Sequence, residues 1–187
     1  MIQLMGDKVV LRTLEREHCR QLWQDYELEQ PVPTEPVNPG FSVENADAWF
    51  EQIQKNQGKS QVYLGIFWED GTLIGDIQLA HIDWHNRYAS LGISITKREH
   101  RGYNYGTDAV RVIVQYAFNE LDLHRITART LIYNTAAQKM LEHAGFTREG
   151  QEQQAVTIGG QRWDRLLYGL LKTDLLGWVK DDAVTRT

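Results

Sequence analysis

Cysteine is almost missing from this chain of 187 residues: Cys19 stands alone, so no internal disulfide can form and no cysteine-rich zinc site can be assembled. Proline is nearly as scarce. All four, Pro31, Pro33, Pro36 and Pro39, fall in one stretch and confine structure-breaking to a loop between Gln30 and Phe41. No apolar run approaches the length of a membrane span, and the opening Met1-Ile2-Gln3-Leu4-Met5-Gly6-Asp7-Lys8 lacks the charged-then-apolar order of a secretory signal. A cytoplasmic location without membrane attachment is the expectation. Positive charge is in deficit: 20 Lys and Arg against 25 Asp and Glu leave a net charge of −5, which disfavours binding to nucleic-acid phosphates and favours cationic partners. His81 and His85 flank Asp83 in a segment that reads as extended. Their side chains would share a strand face about 13 Å apart, too far to chelate one ion, so no metal is expected.

What the chain does have is the composition of a folded domain, 42% hydrophobic and 24% charged, in a length that suits a single unit. The order of elements follows from the apolar periods. A strand is expected at Val9 to Arg12 and a helix at Glu15 to Tyr26, followed by the proline loop. A second helix starts from a Ser42 or Asn45 cap and continues through Trp49, Phe50 and Ile53. Gln61 to Trp68 and Thr72 to Ile82 form a hairpin about Glu69-Asp70-Gly71. Trp84-His85-Asn86-Arg87 then turns the chain into a strand ending near Ile95. After it come a helix at Gly106 to Leu121, a strand at Arg125 to Ile132, a short helix at Thr135 to His143 and two strands about Gly159-Gly160. This is an α+β arrangement, a mixed and mostly antiparallel sheet of about seven strands with about four helices. One domain is expected over residues 1–172, with a C-terminal tail at 173–187.

The richest stretch lies between the strand that ends near Ile95 and the helix that follows it. Lys97-Arg98-Glu99-His100-Arg101-Gly102-Tyr103-Asn104-Tyr105-Gly106-Thr107 places glycines where a tight turn can aim successive N–H groups at one guest. A helix N-terminus offers orphan donors and about half a positive charge, so an anion such as phosphate is the natural guest. The loop lacks Gly-Lys-Ser/Thr and its metal-binding hydroxyl, which argues against a P-loop nucleotide hydrolase.

Three separated segments resemble the GNAT superfamily of acyl-CoA-dependent N-acyltransferases. Arg101-Gly102-Tyr103-Asn104-Tyr105-Gly106 matches that family's Q/R-x-x-G-x-G/A loop, with Asn104 at the first motif glycine. Asn134 followed by Gly145-Phe146 matches a second block, and Leu73-Ile74-Gly75-Asp76-Ile77 with Asn86-Arg87-Tyr88-Ala89-Ser90-Leu91-Gly92-Ile93 matches the strand pair before the loop. Together they cover most of residues 8–172. The opening Val9-Val10-Leu11-Arg12-Thr13-Leu14 and the block from Asn134 to Phe146 are most similar to the ribosomal-protein N-terminal acetyltransferase branch and, next to it, the spermidine N-acetyltransferases.

The resemblance implies a three-layer GNAT-like fold, acetyl-CoA as co-substrate and direct attack by an amine, either a protein N-terminal α-amine or a small amine. A homodimer is compatible with it. Diphosphate would be held by backbone from Arg101, Gly102, Tyr103, Asn104, Tyr105, Gly106 and Thr107, with the Arg101 side chain adding charge. Pantetheine would lie along a splayed strand at Ile93, Ser94 and Ile95, a backbone N–H near Ile95 would serve the oxyanion, and Asn134 would touch the cofactor or cap its helix. Two proton carriers depart from the family pattern. Leu141 stands where many relatives have tyrosine, and Ser90 where many have glutamate. Ser90, His81 and Asp83 are therefore the catalytic candidates. A non-catalytic acyl-CoA sensing module and a spermidine-type acetyltransferase are the alternatives.

Overall fold

The computed structural model describes residues 2–25 and 42–177; the expected proline loop and the end of the chain lie outside the described residues. The strands are β1 (Gln3–Met5), β2 (Val9–Thr13), β3 (Val62–Trp68), β4 (Leu73–Asp83), β5 (Tyr88–Ile95), β6 (Arg125–Leu131), β7 (Thr147–Ile158) and β8 (Gln161–Leu171). The helices are α1 (Arg16–Asp25), α2 (Val43–Asn56), α3 (Tyr105–Asn119) and α4 (Thr135–His143). One sheet runs in the order β1-β2-β3-β4-β5-β6-β8-β7, antiparallel throughout except for β5 beside β6. It holds eight strands where about seven were expected. The addition is β1, three residues long, whose Leu4 pairs with Leu11 of β2. A 3-10 turn spans Lys172–Gly177, so it runs from the end of the expected domain into the start of the expected tail at 173.

Both faces of the sheet are covered, so β3 is apolar at nearly every position while its side chains alternate between two cores. Leu64 and Ile66 join Ile77, Leu79, Ala89, Leu91 and the inner stripe of α3, including Val110, Ile113 and Phe118. Tyr63 and Phe67 point the other way, to Leu14, Cys19, Leu22 and Ile53 of the α1/α2 layer. Two caps are plain: Ser42 Oγ accepts from Asn45 N at 3.2 Å at the start of α2, and Asn134 Oδ1 accepts from Ala137 N at 3.1 Å at the start of α4. Strand β7 closes the far edge with two register shifts, which blunt it against pairing with another chain. No helix among the described residues is long and apolar enough to cross a membrane.

The expected extended run through His81 and His85 is interrupted. His81 has φ 53 at a register shift between Ala80 and Asp83, and His85 lies beyond the strand in the turn. Among the described residues no three His, Cys, Asp or Glu side chains gather as a metal site.

Candidate active site

The parallel pairing of β5 with β6 sets the site. It joins Tyr88 to Arg125, Ala89 to Ile126, Ser90 to Thr127 and Leu91 to Ala128, and ends there, although β5 continues to Ile95 and β6 to Leu131. The strands part beyond Leu91. On its other side β5 stays paired with β4 as far as Ile95 opposite Gly75, and Thr96 N donates to Ile74 O at 3.1 Å. That bond fixes the phase of the ladder. Backbone groups of Ser90, Gly92 and Ser94 turn toward β4, whereas those of Ile93 and Ile95 turn into the gap. A row of main-chain donors and acceptors therefore lines a cleft of the sheet's own making.

At the open end of the gap the chain enters the glycine loop. Gly102 has φ 86 with nothing within 4 Å of where a Cβ would stand, and Asn104 has φ 65, ψ 16, a left-handed conformation that asparagine tolerates better than most residues. The first helical bond of α3 is Asp108 N to Asn104 O at 3.0 Å, and the Asn104 side chain does not cap the helix. The N–H groups of Tyr105, Gly106 and Thr107 thus precede the ladder with no side-chain cap, the condition under which a helix end receives an anion. The loop is tied down from behind. Asp108 Oδ2 accepts from Lys8 N at 2.8 Å and Val9 N at 3.0 Å, Oδ1 accepts from Asp7 N at 3.2 Å, and Lys8 Nζ donates to Tyr103 O at 3.1 Å.

Two expectations change in detail. Arg101 donates from Nε at 3.0 Å and from a terminal nitrogen at 2.8 Å to Ile95 O, and its backbone N–H donates to Arg98 O. Its guanidinium clamps the end of β5, so it shapes the gap. Gly106 is small because α4 is close: an added Cβ would sit 3.0 Å from Met140 Sδ. Leu141 is 3% exposed in the core, so no acid stands at that position.

The catalytic candidates separate. Ser90 lies at the closed end of the gap, where Tyr88 Oη is 3.2 Å from Ser90 Oγ and 2.8 Å from Thr127 Oγ1. Burial pushes the Tyr88 phenol up, but its bonds to Ser90 and Thr127 and the charges of Arg129 and Arg125 outweigh that and leave it below the usual value. Asp83 instead forms the turn, with Oδ1 accepting from Asn86 N and Oδ2 from Asn86 Nδ2, each at 2.8 Å; these bonds hold its carboxyl below the ordinary range. His81 is exposed at the bulge and hydrogen-bonds neither Ser90 nor Asp83.

On the α1/α2 face, Tyr63 Oη donates to Asp76 Oδ2 at 2.7 Å. Sequence reasoning missed this pair and the Tyr88 cluster. The only trace of Asp76 was a carboxylate between the apolar Leu73-Ile74-Gly75 and Ile77 of the strand. Burial, followed by the negative charge of Asp76, pushes the Cys19 thiol up to about 12, which places that carboxylate under α1.

Comparison with known proteins agrees with this geometry. The family model of the acetyltransferase (GNAT) domain matches residues 8–147. The chain belongs to the GNAT family. It is 30% identical over 174 residues to the spermidine N(1)-acetyltransferase of Vibrio cholerae, covering 86% of this chain and 91% of that one. It is 35% identical over 108 residues to the putative ribosomal N-acetyltransferase YdaF of Bacillus subtilis, and there the match spans 58% of each protein. Mycobacterium smegmatis RimJ in complex with CoA-disulfide superposes with a TM-score of 0.81 at 19% identity over 94% of both chains, a likeness of fold. The protein is thus an acetyl-CoA-dependent N-acetyltransferase.

Proposed function

We propose that this acetyltransferase passes the acetyl group of acetyl-CoA directly to a primary amine, a protein N-terminal α-amine or a small amine, with the pantetheine arm laid in the gap between β5 and β6. The observation that carries the reading is the row of Ile93 and Ile95 main-chain groups turned into that gap, leading to the uncapped start of α3. Backbone N–H groups from Gly102 through Thr107 receive diphosphate, while Arg101 keeps the strand end in place. Asn134 spends its Oδ1 on the α4 cap and retains its amide NH2 as a donor toward the cofactor. An N–H of Ile93 or Ile95 meets the carbonyl oxygen as negative charge develops on it.

The amine nitrogen forms the new N–C bond, the carbonyl π pair moves to oxygen, and on collapse the C–S pair leaves with sulfur. A thiolate with pKa near 8.5 leaves without a dedicated acid, which accommodates Leu141. Ser90, bonded to Tyr88, supplies a hydroxyl chain at the closed end. His81 and Asp83 remain outside this path, one on the surface and the other held by its turn.

The test measures CoA thiol release from acetyl-CoA against a library of peptides and small amines, with the acetylated product weighed by mass spectrometry. Release that depends on the amine is the expected result. Acetyl-CoA binding, seen as a raised melting temperature, without release for any amine would favour a sensing module instead.

A further inference from the structure

Three hydroxyls gather where β5 and β6 are still joined, next to the point at which they part. Ala89 and Leu91 of β5 and Ile126 and Ala128 of β6 lie in the core on the α3 side, so Tyr88, Ser90 and Thr127 face the α1/α2 layer. Tyr88 Oη links the other two, 3.2 Å from Ser90 Oγ and 2.8 Å from Thr127 Oγ1. The next residue of β5 on this face is Gly92, the first beyond Leu91, where pairing with β6 ends. Its missing side chain makes room for Gln78 of β4, since a Cβ at Gly92 would stand 3.1 Å from Gln78 Nε2. Gln78 is in turn a wall of a cavity of about 230 Å³, shared with Trp49, Gln52, Gln61 and Tyr63. Gln78 lies opposite Gly92 and Ala80 opposite Ser90, which makes Ser90 the diagonal neighbour of Gln78, about 7–8 Å away along the sheet. The row of hydroxyls therefore starts beside the cavity and ends at Tyr88.

The surroundings of Tyr88 favour its charged form. Arg125 and Arg129 stand two places either side of Thr127 on β6, and Arg125 is held by Glu149 of β7. On β4, Asp83 lies opposite Tyr88 with both carboxylate oxygens engaged by Asn86, and His81 is exposed at the bulge. Burial favours the neutral phenol, but the bonds to Ser90 and Thr127 and the charges of Arg129 and Arg125 favour the phenolate more. Packing alone would be served by phenylalanine; the oxygen adds the link to Ser90.

We infer that Ser90 and Tyr88 form a proton relay from the acceptor amine to solvent, with Ser90 touching the amine and Tyr88 acting through Ser90. The assignment rests on the acetyl-transfer reading above. The neutral amine forms the N–C bond with its lone pair while the carbonyl π pair moves to oxygen, which leaves positive charge on nitrogen. One N–H proton then passes to Ser90 Oγ as the Ser90 hydroxyl proton passes to the Tyr88 phenolate oxygen. Sulfur departs with the C–S pair as the carbonyl re-forms. Tyr88, now neutral and only half-buried, returns its proton to water.

The experiment uses the full chain with acetyl-CoA and three probes, tetraalanine amide, n-propylamine and spermidine, from pH 7 to 9. Dividing wild-type kcat/KM by that of Tyr88→Phe at each pH cancels the titration of the amine, which is common to both reactions. For every probe that is turned over, the ratio should exceed about tenfold at pH 8 and should rise by more than about threefold from pH 7 to 8 as the phenolate fills. The loss should fall on kcat, with KM for the amine and acetyl-CoA affinity each within about threefold. A purely structural defect would give a ratio that does not change with pH. Ultraviolet titration should show one wild-type tyrosine ionising below the usual value of about 10, and that tyrosine should be missing from Tyr88→Phe. Ser90→Ala cuts the same path, should show the same loss and pH signature, and decides the case if Tyr88→Phe does not fold. A ratio under about tenfold, a ratio flat with pH, a parallel loss of acetyl-CoA affinity, the lack of an early-ionising tyrosine or an unaltered Ser90→Ala enzyme each overturns the relay. If the wild-type chain binds acetyl-CoA but releases no thiol with any probe, acetyl transfer itself fails and the relay falls with it.

Discussion

Replacing Asp108 by Ala removes the acceptor of three backbone N–H groups in one step. Asp7 and Lys8 are exposed, so their freed donors turn to water at a cost of a few tenths of a kcal/mol each. Val9 is 1% exposed, and an orphaned buried donor costs about 1–3 kcal/mol. The sum, about 2–3 kcal/mol, corresponds to a fall in Tm of about 4–12 °C for a domain of this size. Asp108→Asn keeps one acceptor oxygen and should fall between wild type and Ala. Circular dichroism melts of the three proteins measure this, and a drop under about 1 °C for Asp108→Ala would refute the reasoning. Acetyl-CoA affinity adds a test of sign. If the carboxylate mattered only as a negative charge near the diphosphate, its removal would tighten binding. Because it anchors the loop to the turn between β1 and β2, removal should weaken binding by about threefold, equivalent to about 0.7 kcal/mol.

Asn104→Gly should leave acetyl-CoA affinity within about threefold by calorimetry, since glycine adopts the observed φ of 65 without strain; a loss beyond tenfold would mean that the asparagine side chain itself holds the ligand. Gly106→Val should remove most of the thermal shift given by acetyl-CoA by pushing α3 from Met140, and Met140→Ala should restore part of it if that contact is the cause. The carboxyls of Glu149 and Glu152 are held below their usual 4.5 by side-chain hydrogen bonds from Arg125 and Arg165. A lowered folded value gives stability that is complete above the unfolded value and is lost as pH falls through the folded one. Tm should therefore hold from pH 7 to about 5 and decline below about 4, and Glu149→Gln should flatten part of that decline.

Local chemistry wrote much of this fold where it could be read. The break at Glu69-Asp70-Gly71, the Ser42 cap and the helix from Thr135 to His143 all fall where turn residues, a hydroxyl cap and the helical period put them. Strand β1 escaped because three residues carry no period; only pairing with β2 makes Gln3–Met5 a strand. The bulge at His81 escaped because one residue in a left-handed conformation leaves no mark in an alternation of side chains. The glycine loop was legible as a helix entrance. The reasons for its residues were less so: Gly106 answers to Met140, thirty-four positions later, and Arg101 to a carbonyl on the preceding strand. Tyr88 and Thr127 meet only because β5 and β6 run parallel, a long-range event that no local pattern announces.

The parting of β5 and β6 makes the sheet an unfinished object. Beyond Leu91 the main-chain groups of Ile93 and the N–H of Ile95 have no partner strand in β6, and Ile95 O is held by Arg101; on the proposed reading, a pantetheine arm carrying amide groups of its own stands in as the missing strand. Recognition then passes through atoms that every amino acid shares. The side chains at those positions answer to packing alone, so they can drift across apolar types without touching the ligand's hydrogen bonds. A lineage built this way can change its text almost freely along the groove while its grip on the acyl carrier stays constant, and selection for a new acceptor can act on the opposite face undisturbed.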